Sequence, residues 1–485
     1  MLPTKFRRQL RQEADVWAAE GLIDRTTYEH LATRYQFSAL EVEARNSFTT
    51  LLMGFGCVLI GMGIITFIAA NWQQLAREWR VVILLGLFIL VNLLGFYLWR
   101  EPAGIKHRMG QGLLLLGALI LGGNMALMGQ MFHVQGDLFQ LFIAWAVGVL
   151  LMAYSLRIVS LGILAHILMG LGYWQAYSSS IWSWSADRAA IDPNWTYFLF
   201  QHMPIASIVL FLPLAYWCRS QAIFTLTGIA FISSFQSCLQ PVGTWGMDNG
   251  ALDGLASLNF ALACSLPPLL LWGYGNLSQW WQGNHRDKTG TFPQISRRLA
   301  ALSLGLTCFS LSFSAFWSMF LPSQRWLSKS AIGLMRWLEI WDTGILVLVT
   351  IGIWVYLIWQ TRNKSRHYAW DWTTTAIGSL CVLTAGTIVT QLQTIGDKQI
   401  YAAGIFCLLL FLMTVGLIRS GLANSDRGAF WLGLGLLTSR IIIWFLMTQN
   451  DLLTKSLLFI ICGIGMMAIG LWFEGNVRRL SEAKR

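Results

Sequence analysis

An all-α, polytopic transmembrane helical bundle of about fourteen spans, with both termini cytoplasmic, is the fold class this chain predicts, and three observations predict it. The first is composition. The 485 residues are 55% hydrophobic and 12% charged, whereas a soluble domain carries about twice that charge fraction. The second is length. Apolar stretches recur at 50–70, 81–98, 113–131, 138–155, 158–176, 202–218, 221–240, 255–274, 299–320, 344–360, 372–393, 400–418, 429–447 and 456–473. Each suits a hydrocarbon core about 30 Å thick at 1.5 Å of rise per residue. The third is charge placement. With the connecting segments numbered alternately from a cytoplasmic N-terminus, inner segments hold 25 of the 34 Lys and Arg, outer segments hold 8, and Arg440 lies within a span. Insertion retains cationic loops in the cytoplasm, so a missed span would scramble this division. Only helices satisfy all their backbone polar groups within one segment at that depth, and the alternation of barrel strands is absent.

The elements follow in order. Residues 1–48 carry Phe6, Leu10, Ala14 and Trp17 at helical spacing, then Gly21, then Asp24, then Tyr28, Leu31, Ala32 and Tyr35. Gly21 suits the left-handed end of a first helix and Asp24 the cap of a second. The result is a cytoplasmic helical hairpin with seven basic and seven acidic residues on its outer faces. It serves either as a packed cap or as a docking site for a cytoplasmic protein partner. A first membrane block of about five spans covers 49–176. Because the first 48 residues are polar, the span at 50–70 reads as an uncleaved anchor. An outer loop at 177–201 is rich in aromatics, with Trp182, Trp184, Trp195, Tyr197 and Phe198.

A middle block of about six spans covers 202–398, with an outer amphipathic helix near 323–342. In that helix Leu327, Ala331, Leu334, Leu338 and Trp341 form one apolar stripe. A last block of about three spans and a basic tail covers 399–485. Small residues let helix backbones approach in lipid. Gly54, Gly56, Gly61 and Gly63 therefore read as contact positions in the first span, Gly117, Gly122 and Gly123 in the third, Gly433 and Gly435 in the thirteenth, and Gly463, Gly465 and Gly470 in the last. The 25 tryptophans cluster at span ends, where interfacial anchoring explains them.

The net charge of +11 does not make a nucleic-acid binder. Inner segments carry 25 cations against 13 carboxylates and outer segments 8 against 10, so the excess faces anionic headgroups. Membrane lipids are the expected partners. The eight cysteines lie in or beside spans without a C-x-x-C pair and read as packing residues; no metal and no cofactor is expected. Soluble-enzyme signatures are absent as well.

Candidate chemistry falls in two places. No Asp or Glu lies within a span, and Arg440 is the one charge that does. An unpaired cation at mid-bilayer costs at least about 2.5–3.5 kcal/mol, so Arg440 needs helix-end carbonyls or an anionic group. Pro204 and Pro213 in the sixth span, and Pro267 and Pro268 in the eighth, are expected to break their helices, and broken helices line transporter cavities. Arg440 and these prolines make a candidate anion or substrate site. The second place is an outer polar cluster: Asn71, Trp72, Gln130, His133, Gln135, Asp137 and His202. His133 paired with Asp137 would titrate near neutrality; a turn held by polar side chains is the plainer role. His166, Asn92, Asn124, Gln236 and Asn259 read as helix–helix hydrogen-bond partners.

Particular strings carry a resemblance. Glu20-Gly21-Leu22-Ile23 followed by Tyr28 and Leu31, the Gly-rich first span ending Ala69-Ala70-Asn71-Trp72, and the turn from Gly129-Gln130 to Gly136-Asp137 followed by Trp145 resemble an uncharacterised bacterial multipass membrane-protein family. That family is known as domain of unknown function number twenty-one fifty-seven, and the likeness covers mainly residues 5–155. Its members also resemble this chain in a Gly-rich closing pair of spans around an arginine, as at Arg440, with a basic tail such as Arg478-Arg479. The resemblance implies the bacterial cytoplasmic membrane and transfers no activity.

Three functions follow as expectations. The first is binding or transport of an amphipathic or anionic, lipid-like substrate. The second is a non-transporting scaffold, assembly or sensor protein with a cytoplasmic docking cap. The third is a membrane enzyme on lipid-linked substrates, suggested by Asp187, Asp192, Asp248 and Asp253 in outer loops.

Overall fold

The computed structural model describes residues 4–35 and 37, isolated positions between 55 and 66, 76–182 except 103 and 135, 202–238, 247–281 except 249, 250 and 253, 291–317 except 315, 332–363, 372–393, 399–447 except 425, and isolated positions between 456 and 467. Much of the first and last predicted spans lies outside these residues. The helices are α1 (Thr4–Ala19), α2 (Arg25–Tyr35), α3 (Arg77–Arg100), α4 (Ile105–Met131), α5 (Leu138–Leu156), α6 (Val159–Trp182), α7 (Met203–Trp217) and α8 (Gln221–Cys238). They continue as α9 (Gly254–Trp281), α10 (Phe292–Leu311), α11 (Ile332–Asn363), α12 (Trp372–Gln393), α13 (Gln399–Asn424) and α14 (Arg427–Met447). A two-residue antiparallel ladder pairs Met247 with Leu252 and Asp248 with Ala251. The protein is thus an all-α membrane bundle apart from that ladder. Among the described residues seven helices are long and apolar enough to cross a membrane, and three shorter helices are apolar.

The chain divides into two compact units, Met1–Gln175 and Ala176–Arg485. In the first, α1 and α2 form the expected hairpin. Ala14 and Phe37 are buried, with Leu10, Trp17, Ile23, Tyr28, Ala32 and Tyr35 packed on them. Gly21 has φ +71°. The Leu22 N–H reaches back to the Trp17 carbonyl at 2.9 Å, which closes a Schellman turn. The Tyr28 hydroxyl donates to Asp15 at 2.6 Å and ties α2 to α1.

Asp24 caps α2. It accepts hydrogen bonds from the hydroxyls of Thr26 and Thr27 and from the Thr27 N–H at 3.3 Å. These donors stabilise the carboxylate and lower its pKa from 3.8 to about 2, the Thr26 hydroxyl contributing most. A depressed pKa means the cap contributes fully above the ordinary carboxylate range and is lost as pH falls from about 4 towards about 2. Hydrogen-exchange protection at residues 25–28 is therefore expected to exceed that of Asp24→Ala at pH 6 and to match it at pH 2. A difference that persists at pH 2 would show that the ionised cap is not its source.

Glycine contact joins the membrane helices of this unit. A Cβ on Gly110 of α4 would lie 2.2 Å from the Trp99 backbone N and 2.8 Å from the Gly95 carbonyl oxygen. A Cβ on Gly122 would lie 2.2 Å from the Trp145 ring, and one on Gly117 would meet the Asn92 amide at 2.5 Å. Polar side chains reinforce the seams. Asn124 donates to the Leu84 carbonyl at 2.9 Å and Trp145 to the Ala118 carbonyl at 2.7 Å. Asn124 is thus the interhelical partner expected of it, whereas Asn92 bonds its own helix at Phe88.

In the second unit α10 is the central helix. It packs against α8, α9, α13 and α14. Buried residues cover most of its circumference, from Phe292 and Pro293 through Ser296, Leu299 and Leu304 to Leu311, while Leu306 on the remaining face is 50% exposed. Helices consecutive in sequence from α7 to α10 alternate in direction, so that α8 and α10, which touch, run parallel. The ends of α7 and α9 meet through the Tyr216 and Tyr274 hydroxyls. The start of α8 stacks on the start of α10 through Phe224 and Phe292 at 4.6 Å. Asn276 near the end of α9 donates to the Thr374 hydroxyl at the start of α12, at 3.0 Å.

The prolines correct an expectation. None of them breaks its helix. Pro204 sits in the first turn of α7, where its missing N–H has no intrahelical acceptor to lose. The helices run on through exposed Pro213 and through buried Pro267 and Pro268. The outer amphipathic helix is described only from residue 332 onward, and there it runs unbroken into the next predicted span as α11.

Candidate functional site

The break that the prolines do not make occurs elsewhere. α10 stops at Leu311, inside the stretch 299–320, and Ser312-Phe313 interrupts it without Pro or Gly. An interrupted helix leaves its last carbonyls without intrahelical donors, a costly state in lipid. Each finds a partner. The Phe309 carbonyl accepts from the Ser312 hydroxyl at 2.7 Å and the Ser310 carbonyl from the Phe313 N–H at 3.3 Å. The Leu311 carbonyl accepts from the Trp317 indole at 2.8 Å, and the Ser312 carbonyl from Arg440 Nη2 at 3.1 Å. Trp317 is itself fixed in the core against Phe406, ring to ring at 5.9 Å.

Arg440 is therefore a helix-end donor. Its guanidinium carbon also lies 4.4 Å from the centroid of the Phe313 ring, a cation–π contact. A cation suits this place because the C-terminal end of α10 carries partial negative charge. Two features go beyond capping. Nε of Arg440 is buried with no hydrogen-bond partner. Among the described residues no carboxylate pairs with Arg440.

A constant register places this contact. Arg298 near the start of α10 pairs with Asp426, just before α14, at 3.2 Å. Arg298 and Asp426 are separated by 128 residues, as are Ser312 and Arg440. The helices α10 and α14 thus run parallel, joined by charged side chains at both ends. Near the Arg298 end, Arg297 lies 5.8 Å from the Trp272 ring and donates to Asn276, whose amide and the Trp272 indole both donate to the Thr374 hydroxyl. This cluster carries no signature in the sequence. Its members lie as much as 102 residues apart, and each alone reads as an interfacial or packing residue.

The outer polar cluster is only partly described. Asn71, Trp72 and Gln135 lie outside the described residues, and His202 precedes α7 in the second unit. His133 and Asp137 are both exposed, and no ion pair joins them among the described residues. Gln130 and His133 have a backbone role. His133 takes φ 52°, its N–H reaches the Gln130 carbonyl at 3.4 Å, and the Val134 N–H reaches the Gly129 carbonyl at 2.9 Å. That is a Schellman turn with histidine at the left-handed position. Arg219 ends α7 in the same way at φ 49°. A side chain there costs about 1 kcal/mol relative to glycine. His133→Gly is accordingly expected to raise the thermal midpoint by a few degrees; a lower midpoint would show that the imidazole makes a stabilising contact.

Cys218, Cys264, Cys308, Cys381 and Cys407 are free thiols. No His, Cys, Asp and Glu cluster suited to a metal occurs among the described residues. Of the outer aspartates, Asp248 lies in the two-residue ladder, while Asp187, Asp192 and Asp253 fall outside the described residues. No curated protein and no solved structure matches the chain. Residues 15–173, a third of the chain, match the model of the family described as "Predicted membrane protein (DUF2157)", the same family that the hairpin and the Gly129–Asp137 turn resemble.

Proposed function

We propose that this is a multipass protein of the bacterial cytoplasmic membrane, with both termini cytoplasmic, that binds an anionic, lipid-like ligand at Arg440. The state of Arg440 carries the reading: one guanidinium N–H serves the Ser312 carbonyl, while Nε is buried and lacks an acceptor. A buried unsatisfied donor costs about 1–3 kcal/mol, and more when charged. An anionic oxygen that reaches the part-buried guanidinium neutralises a cation set within a span.

Native mass spectrometry tests the reading. Wild-type protein extracted from its membrane is expected to retain a phosphatidylglycerol-class lipid that Arg440→Gln loses. The glutamine amide keeps a donor for Ser312 and removes only the charge. Equal retention by both proteins would contradict the reading. A second reading, a scaffold with a cytoplasmic docking cap, is favoured by one observation: the hairpin closes its own small core over Ala14 and Phe37 and so folds as a module.

A further inference from the structure

The N-terminal hairpin is electrically polarised along its length. Its open half, residues 4–12 of α1 and 31–35 of α2, carries Lys5, Arg7, Arg8, Arg11 and Arg34 and no carboxylate. Its turn half, residues 13–30, carries Glu13, Asp15, Glu20, Asp24 and Glu29 against one cation, Arg25. The two halves thus have formal charges of +5 and −4. All five carboxylates of the turn half are exposed, as is Arg34. Arg11 meets Asp15 across the boundary at 4.0 Å, and Arg25 meets Glu29 within the turn half at 3.4 Å. This order opposes what α1 itself needs. A helix N-terminus carries partial positive charge and favours acids, whereas a C-terminus favours cations. α1 has no acid in its first turn and no base in its last, and it places four cations in its first half. Helix stability does not account for that arrangement. Nor does the hairpin core of Leu10, Ala14 and Trp17, which is indifferent to the sign of the outer residues.

The basic half is also the one tethered to the membrane. The chain leaves α2 at Tyr35 and enters its first apolar stretch at residue 50, 15 residues on. Arg8 and Glu20 lie about 18 Å apart along the axis at 1.5 Å per residue, against a Debye length of about 8 Å. A surface potential felt at the open end is therefore screened at the turn. We propose that the hairpin stands on the cytoplasmic leaflet by its open end. Lys5, Arg7, Arg8, Arg11 and Arg34 meet anionic headgroup phosphates, and the acidic turn faces the cytoplasm. Clusters of about four to eight cations beside a span bind anionic lipid in this way. A second copy fits less well, because rotation about the membrane normal sets basic end beside basic end. The choice of leaflet rests on the proposed sidedness; the docking itself is independent of Arg440.

The test uses the full chain in phosphatidylcholine vesicles with and without phosphatidylglycerol, a fraction of the headgroups carrying a nitroxide quencher. A fluorophore is placed at Thr33→Cys in the open half or at Leu22→Cys in the turn, both exposed positions, and the unsubstituted protein serves as the labelling blank. With phosphatidylglycerol, the label at 33 is expected to be quenched several-fold more strongly than the label at 22. Without it, or in concentrated salt, quenching at 33 is expected to fall about twofold or more. Arg7→Glu combined with Arg8→Glu is expected to lose the phosphatidylglycerol effect while α1 keeps or gains hydrogen-exchange protection, because acids suit a helix N-terminus. Lost protection in that variant would make the cations part of the hairpin's own fold and overturn the proposal. Quenching at 33 that ignores phosphatidylglycerol would also overturn it, since the tether alone produces that. Salt-sensitive binding of a short RNA duplex, with no response to phosphatidylglycerol, would assign the basic end to nucleic acid instead. Both leaflets carry the same lipids, so the result separates docking from sidedness and from the ligand at Arg440.

Discussion

Gly110→Leu is expected to destabilise the first unit by about 3 kcal/mol and to abolish monodisperse purification, whereas Gly112→Leu is expected to be tolerated. The contrast comes from helix geometry. The Cβ of residue 110 would lie 2.2 Å from the Trp99 backbone N and 2.6 Å from its Cα. Backbone atoms cannot rotate aside, so α3 and α4 must separate, and with them go Asn124 on Leu84 and Asn92 over Gly117. A Cβ at residue 112 meets nothing within 4 Å. There leucine replaces a residue that costs a helix up to about 1 kcal/mol relative to alanine. Size-exclusion profiles and thermal midpoints of the two variants decide the matter. Equal behaviour would mean that the glycine faces do not set the helix spacing.

The second large effect is conditional, and the condition is informative. Arg440→Leu strips the Ser312 carbonyl of its donor, at about 1–3 kcal/mol, and removes a cation–π contact worth up to about 2 kcal/mol. It also removes a buried charged donor that costs a similar amount when unpaired. In lipid-free detergent these terms nearly cancel, and the thermal midpoint is expected to change little. With anionic lipid present the charge is neutralised, the cancellation disappears, and the midpoint is expected to fall by about 5 °C for a loss of about 3 kcal/mol in a unit the size of Ala176–Arg485. A fall of the same size in both conditions would make Arg440 a helix cap alone.

Most of the framework was legible in the sequence because membrane spans announce themselves by length and apolarity. The helices α3–α14 fall on the predicted stretches, and the hairpin was signalled by Gly21 and Asp24. Arg440 was legible because a charge within a span is conspicuous; its partner was not. The break at Ser312-Phe313 contains neither Pro nor Gly, and it persists because Trp317 and Arg440, distant in sequence, supply donors. The prolines misled because a missing N–H matters only where a helix would have used it. Pro204 uses the first turn, and the packed neighbours of Pro267 and Pro268 hold the helix through. Glycine content was also a coarse signal. Gly122 meets Trp145 and Gly433 meets the Thr414 carbonyl, whereas Gly123 and Gly435 face open space, because one or two residues turn a helix by 100° or 200°.

The sidedness of the α10–α14 pair is the claim on which the assignment of every loop to one side of the membrane depends. It is tested by labelling single cysteines with a membrane-impermeant maleimide in intact cells. Arg427→Cys, beside the Asp426 end of α14, is expected to stay unlabelled until the cells are permeabilised, while Asn450→Cys, beyond the other end, is expected to label at once. Labelling of Arg427→Cys in intact cells with protection of Asn450→Cys would invert the pair and contradict the account.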